Sequence, residues 1–189
     1  MARRGSYAKG VAKREEILAT ALEVVASNGY RNTSVRELAD AVGLSQAGLL
    51  HYFSSKDELF AAIVRRYDEA NLAASGADAL AGFVEGVRRN ANVPGLIRVY
   101  AQFAAEATDE GHPSRPHAEA RYARLHRRFA ATIRARQDAG TMRADVDPGA
   151  LSVMTIALAD GLQTQWLLDP GLDMAAHIEA FWALLAPPG

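Results

Sequence analysis

The stretch SVRELADAVGLSQAGLLHYF, residues 34–53, predicts two short helices joined by a tight turn. Counted from Val35, the apolar positions four, eight, ten and fifteen, the small position five and the glycine at nine fit a helix-turn-helix. These six residues are Leu38, Val42, Leu44, Leu49, Ala39 and Gly43. Ser34 with Glu37 forms a capping-box pattern, and Ser45 is a second helix cap. An αα-corner in an ordinary helical domain is the alternative interpretation.

Composition excludes several classes of protein. The 189 residues include no cysteine, which excludes disulfides, a thiolate nucleophile and cysteine-based metal sites. No apolar segment of a signal peptide follows the basic start, and the longest apolar run, ALSVMTIALA, is too short to span a bilayer. We therefore expect a cytoplasmic protein with no membrane partner. His112, His117 and His126 lack zinc-site spacing, so we expect no metal and no cofactor.

The hydrophobic periodicity is helical almost throughout, which predicts an all-α fold of about nine helices. An N-terminal three-helix helix-turn-helix domain, residues 1–55, precedes a larger helical body, residues 56–189, and a helix over residues 56–74 connects the two. Proline and glycine punctuation predicts the later helices. They are expected over residues 78–92, 95–109, 116–138, 148–168 and 173–186.

Residues 12–60 resemble the DNA-binding domain of the TetR family of transcriptional regulators. The residues that carry the resemblance are Ile17-Leu18, Ala21, Gly29-Tyr30, Thr33 to Ala39, Val42 to Ser45, Tyr52-Phe53, Ser55-Lys56 and Leu59. The resemblance implies a homodimer that represses transcription from an operator until a small ligand releases it. It also implies that residues 56–189 are a ligand-binding and dimerisation domain. Beyond residue 60 it covers only the number and order of helices.

A helical wheel of the second motif helix predicts which side chains face DNA. The outward face contains Gln46, Ala47, Gly48, Leu50 and His51, and Ser45 caps the helix. Glutamine can pair with adenine, and a residue without a side chain lets the backbone approach base edges. For the glycine, room for a packed neighbour is the alternative. The family commonly has tyrosine at the position of Leu50, so this leucine either contacts DNA through its apolar surface or covers the small core.

Phosphate contacts are expected from residues around this helix. The resemblance implies such a role for Lys56, which matches a nearly universal lysine of the family. Further candidates are Tyr52, Thr33, Ser34 and Arg36. The basic N-terminal arm either adds phosphate contacts or is a disordered solubilising tail. Its basic residues are Arg3, Arg4, Lys9, Lys13 and Arg14.

The helical body contains apolar stripes at helical spacing, which are core by default. The resemblance implies a largely apolar effector cavity between them. Its expected lining is Phe83, Val87, Leu96, Val99, Tyr100, Phe103, Tyr122, Leu125, His126, Phe129, Met154, Leu158 and Gln163. For the polar residues, structural hydrogen bonding is the alternative role. The expected dimer seam is Trp166, Leu167, Ile178, Phe181, Trp182 and Leu185, with a monomer core as the alternative.

A run of arginines on the helix expected over residues 116–138 resembles a nucleic-acid patch. Its members are Arg121, Arg124, Arg127, Arg128, Arg134 and Arg136. They fall on more than one helix face, and residues 144–189 contain acidic but no basic residues. We therefore interpret the run as a solvated surface that balances the acidic tail.

Three functional hypotheses follow. The first is a dimeric repressor that a small effector releases from a palindromic DNA operator. The second is a helix-turn-helix DNA-binding protein without an effector, constitutive or controlled by a partner. The third is a small helical enzyme, which the sequence disfavours because no nucleophile and base occur in a recognisable arrangement.

Overall fold

The structure is a computed structural model that describes the backbone of residues 2–76 and 78–187 and the side chains of residues 8–76 and 78–187. Within these residues the chain forms nine α-helices and no strand, which confirms the all-α prediction. The helices are α1 (Ala2–Asn28), α2 (Val35–Ala41), α3 (Gln46–Tyr52), α4 (Lys56–Ala74), α5 (Ala79–Asn90), α6 (Leu96–Glu106), α7 (Arg115–Asp138), α8 (Pro148–Leu168) and α9 (Met174–Ala183).

Short polar side chains begin several helices, as the sequence predicts. Ser34, Ser45 and Ser55 each accept a hydrogen bond from a backbone N–H in the first turn of α2, α3 and α4. Asp147 does the same for α8, whose first residue is a proline. These bonds satisfy N–H groups that the helices themselves leave unpaired. The helix positions therefore follow from local sequence.

The largest apolar core extends across the predicted domain boundary at residue 55. It joins Ile17 of α1 and Phe53 after α3 to Phe60 of α4, and then to Leu96 and Val99 of α6. All five side chains are almost completely buried. The helix-turn-helix is thus packed, through α1 and α4, directly against the first helices of the body.

Two further cores fill the body between α5, α7, α8 and α9. Helices α4 and α5 approach closely where Gly82 lies against Ser75. The absence of a side chain at Gly82 allows this approach, since a Cβ atom there would fall 1.7 Å from the Ser75 Cβ. This contact places the C-terminal end of α4 beside the interior of the body. Among the described residues, no helix has the length and apolar character needed to cross a bilayer.

Candidate DNA-binding face and effector cavity

The turn between α2 and α3 has the geometry that the motif predicts. Gly43 has φ of +66°, in the left-handed region that glycine occupies without strain. Ala39 is fully buried where the two helices meet. At the start of α2, the Ser34 Oγ accepts from the Glu37 N–H, and the Glu37 carboxylate accepts from the Ser34 N–H. The capping box therefore forms in full and fixes the N-terminal end of α2.

Helix α1 braces the motif from behind through two basic side chains. The Lys13 Nζ donates to the Val42 carbonyl at 2.8 Å, at the end of α2. The Arg14 Nη1 donates to the Tyr52 carbonyl at 2.9 Å, and its guanidinium lies 4.1 Å from the Phe53 ring centroid. Cations at helix C-termini satisfy exposed carbonyls and oppose the helix dipole.

These contacts change the interpretation of the N-terminal arm. Lys13 and Arg14 hold the ends of α2 and α3, which gives both side chains a structural role in the motif. Lys9 remains exposed on α1. The side chains of Arg3 and Arg4 lie outside the described residues.

The outward face of α3 is exposed as the helical wheel predicts. Gln46, Ala47 and His51 are exposed, and Leu50 keeps 42 % of its surface accessible. Between them Gly48 is partly buried, and its N–H donates to the Ser45 Oγ at 3.0 Å. A Cβ atom at this glycine would meet only the Ser45 Oγ, at 3.2 Å, and the Leu44 side chain, starting at 3.6 Å. The nearest protein neighbours of such a Cβ atom are thus the Ser45 cap of α3 and Leu44 in the turn.

The expected phosphate-binding residues differ in their surroundings. The expected phosphate contact of Thr33 is corrected, because this residue is only 1 % exposed. Its hydroxyl points inward and donates to the Gly29 carbonyl at 2.7 Å. The hydroxyl of Ser34 is already used in the capping box. Arg36 is exposed, 3.8 Å from Asp40. Tyr52 is half-buried at the end of α3.

Lys56 lies at the first turn of α4, beside the helix-turn-helix. Its Nζ donates to the carbonyls of Thr33, at 3.2 Å, and Tyr30, at 3.3 Å, and lies 4.9 Å from the Tyr30 ring centroid. An ammonium group has three donors, and these two bonds leave one hydrogen for another acceptor. The lysine is therefore held in place by the protein while retaining a positive charge near the surface.

A cavity opens inside the body between α4, α5, α6, α7 and α8. It encloses about 50 Å³ that the centre of a water molecule can reach. Six of the predicted lining residues contribute to it: Phe83, Val87, Tyr100, Leu125, Phe129 and Gln163. The apolar wall is extended by Leu72, Ala79 and Ile97.

Seven residues predicted to line this cavity do not line it. Leu96 and Val99 face the core shared with the helix-turn-helix instead, and Phe103 lies in that core and borders a neighbouring cavity. Met154 is 51 % exposed on the outer side of α8, and Leu158 packs in the core beside α9. Tyr122 and His126, the remaining two, face α8: their polar atoms lie 2.8 Å from Asp160 and 3.4 Å from Ser152, respectively. The sequence identifies apolar stripes, but the direction of each stripe depends on how the helices are rotated in the assembled body.

The polar end of the cavity contains charged residues that were not expected there from the sequence. Asp68 of α4 accepts from Arg121 of α7, with Nε at 2.7 Å from Oδ2, and from the Tyr100 hydroxyl at 3.0 Å. Arg124 lies 3.4 Å from the same carboxylate, and Arg128 donates to the Ser75 Oγ at 2.8 Å. All three arginines line the cavity. The interpretation of the arginine run as a solvated surface is therefore wrong for these residues, whereas Arg127 and Arg134 are exposed.

Burial controls ionisation around this charged cluster. Burial by itself lowers the pKa of Arg121, but the neighbouring Asp68 outweighs it, and the pKa is raised above its usual value. Burial raises the pKa of Asp160. The same effect, with the Asp160 carboxylate nearby, raises the pKa of Tyr122 to about 12. Arg121 thus stays charged inside the body.

The expected dimer residues are also divided by the structure. Ile178 is fully buried and Leu185 is 8 % exposed, so both belong to the cores of the single chain, and their assignment to the seam is corrected. Trp182 is half-buried, with its Nε1 3.5 Å from the Thr155 hydroxyl. Trp166, Leu167 and Phe181 are half-buried as well. The strongly exposed apolar side chains of α8 and its surroundings are instead Val153, Met154, Leu168 and Leu184.

Asp57, Glu106 and His112 bring their ligand atoms within 4.8 Å of one another, between the DNA-binding motif and the body. The His112 Nδ1 accepts from the Ser114 N–H at 3.2 Å, so in the neutral ring the proton lies on Nε2. That Nε2 faces Glu106 at 3.8 Å. Since a metal needs an unprotonated nitrogen, this tautomer favours a polar contact with Glu106 over a metal site.

Comparison with known proteins gives consistent results along the chain. Residues 17–63 match the family model described as bacterial regulatory proteins, tetR family, and residues 78–186 match that of the C-terminal domain of BetI-type transcriptional repressors. An HTH-type transcriptional repressor of Mycobacterium tuberculosis is 28 % identical over 151 residues, covering 80 % of each chain. The HTH-type transcriptional repressor AcnR of Corynebacterium efficiens is 28 % identical over 164 residues, covering 81 % of each.

A solved structure extends the similarity to the whole fold. It is a transcriptional regulator from Saccharomonospora viridis in complex with choline. It is 30 % identical, covers 89 % of this chain and 94 % of its own, and superposes with a TM-score of 0.69. The matched proteins are transcriptional regulators rather than enzymes.

Proposed function

We propose that this chain, which belongs to the TetR family of bacterial regulatory proteins and is a helix-turn-helix transcriptional repressor, acts in the cytoplasm as a homodimer that a small molecule releases from its operator. The observation that carries the proposal is the position of α4. This helix begins at Lys56 beside the DNA-binding motif and reaches the cavity at Asp68 and Leu72. A ligand in the cavity therefore touches the helix that supports the DNA-binding face.

The exposed side of α3 supports the DNA-binding part of the proposal. Five residues of this side meet base edges in the major groove: Gln46, Ala47, Gly48, Leu50 and His51. Among them, the glutamine is the residue suited to adenine. Phosphates are contacted by the remaining surface groups around this helix. These are Arg36, Ser45, Tyr52 and Lys56, whereas Ser34 caps α2 and buried Thr33 acts only by holding the turn.

The outer side of α8 and α9 supports the dimer. Val153, Met154 and Leu184 are more than half exposed. Around them, small exposed residues allow another helix pair to approach closely: Ala157, Gly161, Ala176 and Ala180. Two copies related by a twofold axis would bury this face as a four-helix seam with Trp166, Leu167, Phe181 and Trp182 at its edges. The pair would present two α3 helices to half-sites about 34–36 Å apart or a multiple of that distance.

Unbiased operator selection on the purified full-length protein tests the DNA-binding part. Gln46→Ala should relax preference at one base position, at a cost of about 1–3 kcal/mol there. Lys56→Ala should weaken binding to all sequences alike and reduce the salt slope by about one. Arg134→Ala, an exposed arginine far from α3 in sequence, is the control and should leave both unchanged. An unchanged profile for Gln46→Ala would remove its base-reading role.

Sedimentation of the same preparation tests the dimer. The double variant Met154→Glu and Leu184→Glu should give monomers that bind the operator weakly. Each copy would place two carboxylates in the seam, where they would lose their hydration. Glu23→Gln, at an exposed position of α1, is the control. A stable, active dimer in the double variant would show that the seam lies elsewhere. A wild-type protein that no small molecule releases from DNA would favour the effector-independent regulator.

A further inference from the structure

The polar end of the cavity carries more positive than negative charge. Among the residues that line it, Arg121, Arg124 and Arg128 are cationic, and Asp68 is the anionic group. Asp68 is already engaged by two hydrogen bonds from Arg121 and one from the Tyr100 hydroxyl. The charges of Asp68 and Arg121 neutralise one another in this buried pair. The positive charges of Arg124 and Arg128 therefore set the electrostatic character of the cavity.

The positive charges of Arg124 and Arg128 are less well neutralised by a nearby carboxylate than that of Arg121. They are four residues apart on α7, so their side chains lie on the same face of the helix. Arg124 reaches the Asp68 Oδ2 only at 3.4 Å, sharing it with Arg121. The contacts of Arg128 within the described residues are to neutral oxygens, the Ser75 hydroxyl at 2.8 Å and the Gly76 carbonyl at 3.5 Å.

Another part of the cavity lining is apolar. Phe83 and Phe129 meet edge to face with ring centroids 4.9 Å apart, and Leu125 lies beside them. The reachable space of about 50 Å³ is limited in this conformation. A second cavity of about 180 Å³ adjoins it, because Asp68, Arg121 and Arg124 line both. A ligand that separates Arg124 from Asp68 would gain access to part of that space.

We propose that the effector is a small amphipathic anion, whose carboxylate binds between Arg124 and Arg128 while its apolar body lies against Phe83, Leu125 and Phe129. This inference rests on the proposed function for the consequence of binding, since it specifies the ligand class of the same cavity. Guanidinium groups bind carboxylates with paired, charge-assisted hydrogen bonds. The anion competes with Asp68 for Arg124 and thereby acts on α4.

The charge of the cavity disfavours a cationic effector. The similar regulator from Saccharomonospora viridis was crystallised with choline, a quaternary ammonium compound. Such cations are recognised by aromatic faces and carboxylates. Here the cavity carboxylate is occupied by Arg121, and two further arginines would repel the ammonium group. Choline is therefore the informative competitor in the test.

The test uses full-length protein and three probes of similar bulk: hexanoate, its neutral analogue hexanamide, and choline. Calorimetry and the shift in melting temperature measure binding at constant ionic strength. Hexanoate should bind at least about tenfold more tightly than either competitor, as expected for loss of a charge-assisted hydrogen bond. Choline binding as tightly as hexanoate, or no hexanoate binding, would overturn the proposal.

Variants of α7 locate the anion. Arg124→Gln should weaken hexanoate at least about tenfold without changing the affinity for hexanamide, and Arg124→Lys should retain much of the affinity. Arg127→Gln is the matched control, because this exposed arginine lies on the same helix but does not line the cavity. Arg128→Gln provides a second measurement if Arg124→Gln unfolds. Equal hexanoate affinity in these two variants and in the Arg127→Gln control would overturn the site.

Operator binding measured in parallel separates this inference from the proposed function. If hexanoate binds with the expected charge selectivity but leaves the operator bound, the anion site stands and the effector mechanism fails. If the protein without ligand does not bind DNA in any selection, the repressor mechanism fails, whereas hexanoate affinities and the Arg124→Gln effect still decide the anion site.

Discussion

Arg121 and Asp68, 53 residues apart in the chain, form an ion pair at 2.7 Å that links α7 to α4 in the interior of the body. Their side chains are only 9 % and 11 % exposed. An ion pair removed from water is stable only while both charges are present, because each charge loses its hydration on burial. The pair therefore fixes α4 to α7 at the wall of the cavity.

Removing both members of this pair should cost much less than the two single changes added together. Asp68→Leu leaves the Arg121 guanidinium buried, which is expected to lower the free energy of unfolding by about 3–5 kcal/mol. Asp68→Leu with Arg121→Met removes both charges and should lose much less than the sum of the single changes. Urea denaturation compares Asp68→Leu, Arg121→Met and the double variant. Additive losses would show that the two side chains are not energetically coupled.

The contact between Lys13 and the Val42 carbonyl should stabilise the DNA-binding motif. Lys13→Ala removes a cation from the C-terminal end of α2 and is expected to lower the free energy of unfolding by about 1 kcal/mol. Lys9→Ala, on the exposed side of the same helix, is the control. Hydrogen exchange of the α2 amides resolves the local effect. Equal exchange in the two variants would show that Lys13 does not brace the motif.

Gly48→Ala distinguishes the two roles suggested for this glycine. If the glycine lets the backbone approach DNA, the variant should keep its stability while operator affinity falls at least about tenfold. Alanine is favoured over glycine in a helix by about 1 kcal/mol, which offsets the tight contact of its Cβ with the Ser45 Oγ. Thermal unfolding and operator titration measure the two effects. A loss of stability with unchanged operator affinity would favour the packing role.

Stability should depend on pH through Asp160. Because burial raises its pKa, the folded protein binds this proton more tightly than the unfolded chain does. The stabilising contribution is therefore present at acidic pH and is lost as pH rises through the folded pKa.

Asp160→Asn should reduce this dependence, because asparagine does not ionise and its carbonyl can still accept from the Tyr122 hydroxyl. At neutral pH the variant is expected to be at least as stable as the wild type. Asp138→Asn, exposed at the end of α7, is the control. Denaturation across the acidic to neutral range measures the difference. A stability–pH curve of unchanged shape would contradict the assignment.

Local sequence alone determined the helix-turn-helix. Its signals act over a few residues: the Ser34 cap, the glycine at position 43 and the spacing of Leu38 and Leu49. Helix hydrogen bonds and turn geometry are local as well, so the predicted outward face of α3 agrees with its exposure. The number of helices follows for the same reason within the described residues.

Only the tertiary structure decided which way the later helices face. Apolar periodicity identified the stripes containing Val99 and Ile178, but both face cores of the single chain rather than the expected cavity and seam. An arginine run was indistinguishable from a solvated surface until α7 packed against α4, which brought Arg121 to Asp68. Helix rotation and long-range charge pairing depend on contacts between distant segments. The sequence therefore determined the helix-turn-helix and the exposed face of α3, and the assembled body determined the charge of the cavity.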